Sequence, residues 1–315
     1  MAALPGRRLG SSDVEVSALG LGSWRTYERI PREEGVALMT AAREAGITFL
    51  DDARYNDETG TAPIASGYSE VVFGELFRAA GWKRDEVVVS NKLWWEFWPE
   101  QSAADELESS LGRMGFSYVD LVYAEHPPDG LPVAEVVEAV AALVVAGTAR
   151  AWGVLNWPPE LLAEAAQIAA QLGAPGPCAA QLPYSLAQRE VVEDAAMASA
   201  LEAADVGVVA SFVLAGGALT SKYEKPDAAG RLAANRHRPE WRDAFEVGRK
   251  LEALAAEMGT SPSRLAISFA LANPQIASVL FGATRPEQIA DNVSAVALLA
   301  SMSAPELAEL RSIGA

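Results

Sequence analysis

Three charged endings in the first half of the chain could carry chemistry. The run Ile47-Thr48-Phe49-Leu50 closes on two carboxylates, Asp51 and Asp52, with Tyr55 three residues further on. A second apolar run, from Glu86 to Asn91, closes on Lys92. A third, from Tyr118 to Ala124, closes on Glu125-His126-Pro127. Carboxylates are rarely buried unless something pairs with them, so Asp51 and Lys92 are natural partners. A tyrosine is a poor acid at its reference pKa of ~10, and a nearby ammonium favours the phenolate. A carboxylate beside that ammonium holds it charged and oriented. Asp51, Lys92 and Tyr55 would form a proton relay of that kind. Two other readings of the same residues stand beside it. One is a structural Asp–Lys pair with a tyrosine on the rim. The other is an acid–base site made of Asp51, Asp52 and Glu125.

Bringing three strand ends together is a task for a parallel sheet. The chain alternates short β-branched or aromatic runs with segments of helical periodicity. Helices are expected over 31–45, 69–80, 100–114, 133–146, 160–172, 190–204, 240–273 and 286–299. Strands are expected over 18–22, 47–51, 86–90, 118–124, 150–155, 178–182, 206–212 and 276–281. Glycine follows most of the helices, as a C-terminal stop does. Repeated strand–helix units pair in parallel through right-handed crossovers. Eight of them favour an α/β fold, a (β/α)8 barrel (TIM barrel), with its site at the strands' C-terminal ends. An open doubly wound sheet would want Gly-x-Gly-x-x-Gly after an early strand, and Gly20-Leu21-Gly22 lacks the third glycine. Turn residues 9–13 between alternating runs add a short N-terminal β-hairpin. The whole chain, 1–315, reads as one barrel domain. Two long loops, 56–67 and 215–239, belong to the active face, where long loops are usually functional.

A formal net charge of −17 argues against nucleic acid or an anionic membrane surface as a general partner. An anionic ligand would need a local basic cluster. Residues 215–239 supply one, with Lys222, Lys225, Arg231, Arg236 and Arg238. One cysteine, Cys178, permits no intrachain disulfide, and two histidines supply zinc chemistry poorly. No metal site is expected. No apolar run approaches the ~20 residues that span a bilayer, and the first ten residues lack a signal-peptide layout. A cytoplasmic protein without membrane insertion is the expectation.

Several motifs, in order, resemble the aldo-keto reductase family. They are Val16 to Trp24, Gly46 to Asp51, Ser69 to Gly74, Asn91-Lys92, Tyr118 to Leu121, Gly153 to Trp157, Gln181 to Tyr184, Leu219 to Tyr223 and Gly282 to Asn292. The likeness is nearest to the branch with the voltage-gated potassium channel β-subunits. It implies a (β/α)8 barrel that binds NADPH and reduces carbonyls with an Asp, Tyr, Lys, His tetrad. Asp51, Tyr55 and Lys92 match the first three, with Tyr55 one residue early and Tyr68 the alternative. Glu125 falls at the histidine's position, and His126 follows it. An Asn stands there in channel β-subunits. A Glu stands there in steroid 5β-reductases, which reduce a conjugated C=C bond. Either Glu125 or His126 could therefore orient the substrate.

The resemblance also assigns a cofactor path. Ser23 and Trp24 lie in its first motif. Asn156 and Gln181 would hold the nicotinamide carboxamide, and Ser211 or Phe212 would face the ring. Leu214, Gly216, Lys222 and Arg231 would follow the pyrophosphate. Thr284 and Arg285 precede a helix with Pro286 early in it, a ready phosphate site, which the resemblance gives to the NADPH 2′-phosphate. Gln288, Asp291 and Asn292 would lie near the adenine. Trp24, Trp94, Trp95, Trp98 and Trp157 could wall an apolar pocket for a small or medium carbonyl compound or conjugated enone. An NADPH-binding regulatory or redox-sensing module is the alternative function.

Overall fold

The computed structural model describes residues 4–220, 222–224, 230 and 232–314. Eight parallel strands close into a barrel in the order β10-β3-β4-β5-β6-β7-β8-β9. They are β3 (Leu19–Gly22), β4 (Phe49–Asp51), β5 (Val88–Leu93), β6 (Val119–Glu125), β7 (Ala149–Leu155), β8 (Ala179–Pro183), β9 (Gly207–Ser211) and β10 (Ile276–Phe281). Each is covered on both faces, which is why they read as nearly continuous apolar runs rather than alternating ones. Their period of two still divides the side chains. Phe49, Val88, Leu121, Tyr123, Ala151, Ala179 and Val209 fill the barrel interior. Leu19, Leu21, Leu50, Val89, Val122, Val154, Leu182 and Val208 pack outward under the helices. At Gly20 the interior is too tight for a side chain, because a Cβ there would come within 2.7 Å of both Phe49 and Leu280.

The expected hairpin is present as β1 (Gly6–Arg8) and β2 (Glu15–Ser17), paired antiparallel. Leu9, Val14 and Val16 are fully buried and belong to the same cluster as the interior side chains. The hairpin thus closes the N-terminal end of the barrel. Gly10 makes this possible: its φ is +47°, and a Cβ would meet the carbonyl oxygens of Asp205 and Cys178.

The helices α1 (Arg32–Glu44), α2 (Tyr68–Ala79), α3 (Ala103–Met114), α4 (Val133–Ala146) and α5 (Pro159–Leu172) follow the sequence reading within about three residues. Two expected helices are each broken in two. Residues 190–204 form α6 (Glu190–Glu193) and α7 (Ala195–Ala203), because Asp194 leaves helical geometry to cap α7. Residues 240–273 form α8 (Arg242–Glu257) and α9 (Pro262–Leu271). Gly259 at positive φ ends the first run, and Ser261 with Pro262 starts the second. After α10 (Pro286–Ser301) comes α11 (Ala304–Ser312), a helix the periodicity did not indicate. No helix among the described residues is long and apolar enough to cross a membrane.

Candidate active site

Asp51 ends β4, and Lys92 lies near the end of neighbouring β5; their registers bring both side chains into the barrel at its C-terminal end. Both are more than nine-tenths buried. The Lys92 ammonium donates to both carboxylate oxygens of Asp51 at 2.8 Å. Its third contact is the Tyr55 hydroxyl at 3.4 Å. Buried charges of opposite sign at this distance must be matched this closely, since either alone would be costly. Ser90, one pleat before Lys92, donates to Asp51 Oδ1 at 2.7 Å. The sequence reading missed Ser90, although its spacing of two from Lys92 puts it on the same face.

Tyr55 is half-buried and follows the strand directly. Its ring lies between Trp24 at 6.4 Å and Trp94 at 6.0 Å, and Trp24 meets Phe212 at 5.5 Å. Phe212, Trp24, Tyr55 and Trp94 therefore form an aromatic arc around the opening. Tyr68 is elsewhere, at the start of α2, where its hydroxyl accepts from Arg32 at 3.0 Å. Ser211 ends β9, and Phe212, at positive φ and 42% exposed, is the residue that joins the arc. Of the other tryptophans, Trp95 donates its indole N–H to the Glu125 carbonyl at 3.0 Å. Trp98 is partly buried against the outer core. Trp157 is fully buried in the same layer between strands and helices, so it does not wall the opening.

Glu125 is the last residue of β6 and shares the inward face of Leu121 and Tyr123. It is half-buried. Burial pushes its carboxyl above the ordinary range, and the His126 backbone, the His126 ring and Lys92 pull it down less strongly. His126 is exposed, and its Nδ1 sits 2.9 Å from the Pro127 carbonyl. There is no bulge in β6 to bring His126 inward. Of the two, Glu125 is the one that lies on the inward face of β6.

Asp52 corrects the idea of a three-carboxylate site. It follows Asp51 and turns the opposite way, fully buried behind the barrel wall. The Ser23 hydroxyl donates to its Oδ1, and its Oδ2 has no partner among the described residues. Burial and the neighbouring Glu70 carboxylate hold Asp52 well above the usual range. Ser23 is fully buried and its hydroxyl is committed to Asp52, so contact with a bound molecule would fall to its backbone. Behind the arc, Arg54 is buried and donates to Ser66 at 2.8 Å, Glu96 at 2.6 Å and Glu106 at 3.3 Å. Glu106 also accepts the backbone N–H groups of Trp94 and Trp95. These braces fix the segments that carry Tyr55 and the two indoles. Nothing in a linear sequence announced them, because Arg54 and Glu106 meet only after folding.

The remaining expected residues surround the same end of the barrel. Gln181 lies in β8 on the interior face with Ala179, and Asn156 follows β7, its N–H donating to the Gln181 carbonyl at 3.1 Å. The Gln181 side-chain oxygen is buried and has no partner among the described residues. A carboxamide N–H arriving there would satisfy it, which fits a nicotinamide. Leu214 and Gly216 stand in the turn after β9, where Gly216 and Gly217 both have positive φ. Lys222 is exposed, with its ammonium 4.8 Å from the Tyr223 ring centroid. Arg231 lies outside the described residues. Thr284 and Arg285 are exposed immediately before α10, and the Gln288 side-chain oxygen accepts both of their backbone N–H groups. Asn292 is buried. Asp291 is held by Ser261 at 2.8 Å and Arg264 at 2.7 Å, so it ties α10 to α9. Among the described residues no group of three or more His, Cys, Asp or Glu is arranged to hold a metal ion.

Comparison with known proteins agrees with this geometry. The model of the aldo/keto reductase family matches residues 18–315. The chain is 33% identical to a probable voltage-gated potassium channel subunit beta from Oryza sativa subsp. japonica, over 96% of this chain and 94% of that one.

Proposed function

The chain belongs to the aldo/keto reductase family, whose chemistry is NAD(P)H-dependent carbonyl reduction; from that premise we propose that it is an NADPH-dependent oxidoreductase acting on a small or medium-sized carbonyl compound. The observation that supports this reading best is the Asp51–Lys92–Tyr55 cluster, buried at its base and open to the mouth through the Tyr55 hydroxyl. NADPH, when bound, supplies the hydride. Tyr55 gives a proton to the substrate oxygen as charge develops there. The Lys92 ammonium stabilises the charge left on the Tyr55 oxygen, and Asp51 holds Lys92 in place. Burial raises the Glu125 carboxyl above the ordinary range, and in its neutral form Glu125 donates a second hydrogen bond to the substrate oxygen, as protonated carboxyls do in enolate-stabilising sites. Conjugated enones are therefore substrates alongside simple carbonyls. The aromatic arc excludes water and selects apolar substrates. Gln181 and Asn156 hold the nicotinamide carboxamide, with Phe212 and Trp24 beside the ring. Leu214, Gly216, Lys222 and Arg231 follow the pyrophosphate, Arg285 and Thr284 take the 2′-phosphate, and Asn292 borders the adenine. The one thiol, Cys178, is buried and pushed up to about 11, so it takes no part in this chemistry.

A fluorescence titration with NADPH and NADH tests the reading. NADPH should bind more tightly, and Arg285→Ala should weaken NADPH selectively, by the roughly 1.5–3 kcal/mol of a charge-assisted hydrogen bond. Equal weakening of both cofactors would remove Arg285 from this role. A second reading, an NADPH-binding regulatory module with low turnover, draws on the likeness to a protein named as a channel subunit. Rapid turnover of any simple aldehyde or enone would argue against it.

A further inference from the structure

The basic stretch seen in the sequence is only partly taken up by the proposed cofactor path. Arg236, His237, Arg238 and Arg242, with Arg249 from the next turns of α8, line a cleft of about 700 Å³ together with Tyr223, Pro239 and Phe245. None of the described lining residues is a carboxylate. In a chain of net charge −17, such a concentration of cations is a local construction, not a reflection of composition. Among the described residues, the acids beside Arg238 and Arg242 do little to neutralise them. Arg238 meets Glu240 at 3.6 Å and Arg242 meets Asp243 at 3.2 Å, all four side chains being more than half exposed. Exposed pairs of this kind are weak and easily exchanged. Arg249 has no ion pair among the described residues.

The floor of the cleft differs in character from its rim. The Tyr223 and Phe245 rings meet edge to face at 5.8 Å. The Tyr223 hydroxyl donates to the Gly216 carbonyl at 3.1 Å and accepts the Leu232 N–H at 2.9 Å, which fixes that floor. A cavity of this volume suits a small molecule, not a polymer. Arginine forks match phosphate oxygens, and an aromatic floor accepts a flat ring.

We propose that this cleft is a second ligand site that takes a phosphate-bearing small molecule with a flat ring, of nucleotide type, separate from the catalytic mouth. Its described lining residues include none of the Asp51–Lys92–Tyr55 cluster and none of the described residues assigned to NADPH.

Calorimetric titration of the full chain with adenosine 5′-monophosphate tests this, with adenosine as the neutral control and with or without saturating NADPH. Binding of the monophosphate should persist at saturating NADPH and exceed that of adenosine at least tenfold. It should weaken at least tenfold in Arg242→Ala/Arg249→Ala and stay unchanged in Arg285→Ala. Both cleft arginines are exposed, so the double variant should keep the wild-type circular dichroism and Tm. The proposal is overturned if the monophosphate does not bind, if NADPH displaces it, if adenosine binds as well, or if the double variant binds like wild type. Failure of NADPH to bind would count against the proposed function, while the comparison of the double variant with wild type would still decide the cleft.

Discussion

Lys92 has three N–H groups and three acceptors around it, two on Asp51 and one on Tyr55. Removing its charge has two separable effects. Tyr55→Phe should abolish hydride transfer, by roughly 10²–10⁴-fold in rate, while leaving stability and the NADPH titration nearly unchanged. Lys92→Met should stop the reaction as well, but it strands a buried carboxylate and should also cost about 3–5 kcal/mol in urea unfolding. Equal stability of the two variants would contradict the buried pair. For Glu125, the raised pKa means that the neutral form survives to higher pH than for an ordinary carboxylate, and is lost as pH rises through it. Enone reduction should therefore lose kcat/KM on that limb, and Glu125→Gln should flatten the limb. Glu125→His should raise the ratio of carbonyl to C=C reduction. Activity that follows His126→Ala and ignores Glu125→Ala would end the Glu125 argument. Asp51, Tyr55, Lys92 and Glu125 were legible because each stands at or just past a strand's end, where a barrel gathers its chemistry. Asp52, Ser23 and the Arg54–Glu106 brace were not, because the face a residue takes, and what it meets there, is settled by register and closure.

The elements repeat this lesson at larger spacing. Alternation of strand and helix signals was enough to give eight barrel strands, since the apolar periods and the glycine stops agree locally. The sequence reading failed where capping or helix-breaking residues interrupt a helical pattern, at Asp194 and across Gly259 to Pro262. Helical periodicity carries through both interruptions, so only the capping chemistry reveals the breaks. Packing between elements also depends on details that no pattern shows. Gly74 of α2 lies against the end of α3, where a Cβ would stand 2.1 Å from the Met114 carbonyl oxygen. Gly74→Ala should therefore destabilise by about 1–3 kcal/mol, despite alanine's better helix propensity, with the loss read from the denaturation midpoint. A stabilised Gly74→Ala protein would mean that α2 and α3 can move apart.

At the scale of the whole molecule, the two ends of the barrel are built for different work. The hairpin end is apolar and sealed, with Leu9, Val14 and Val16 seated among the interior side chains. Leu9→Ala should lose about 2–5 kcal/mol of stability, measured by chemical denaturation, with kcat per folded molecule unchanged. A large fall in kcat would show that the two ends are coupled. The sealed floor also governs how the relay is recharged. Each turnover spends the one hydrogen that Tyr55 has to give, and a replacement cannot arrive from below. It must come from bulk water past the aromatic arc, so the stock is refilled only while that entrance stands uncovered. Isotope from heavy water should then enter the donor between turnovers, after product has left, and not while a ligand fills the entrance.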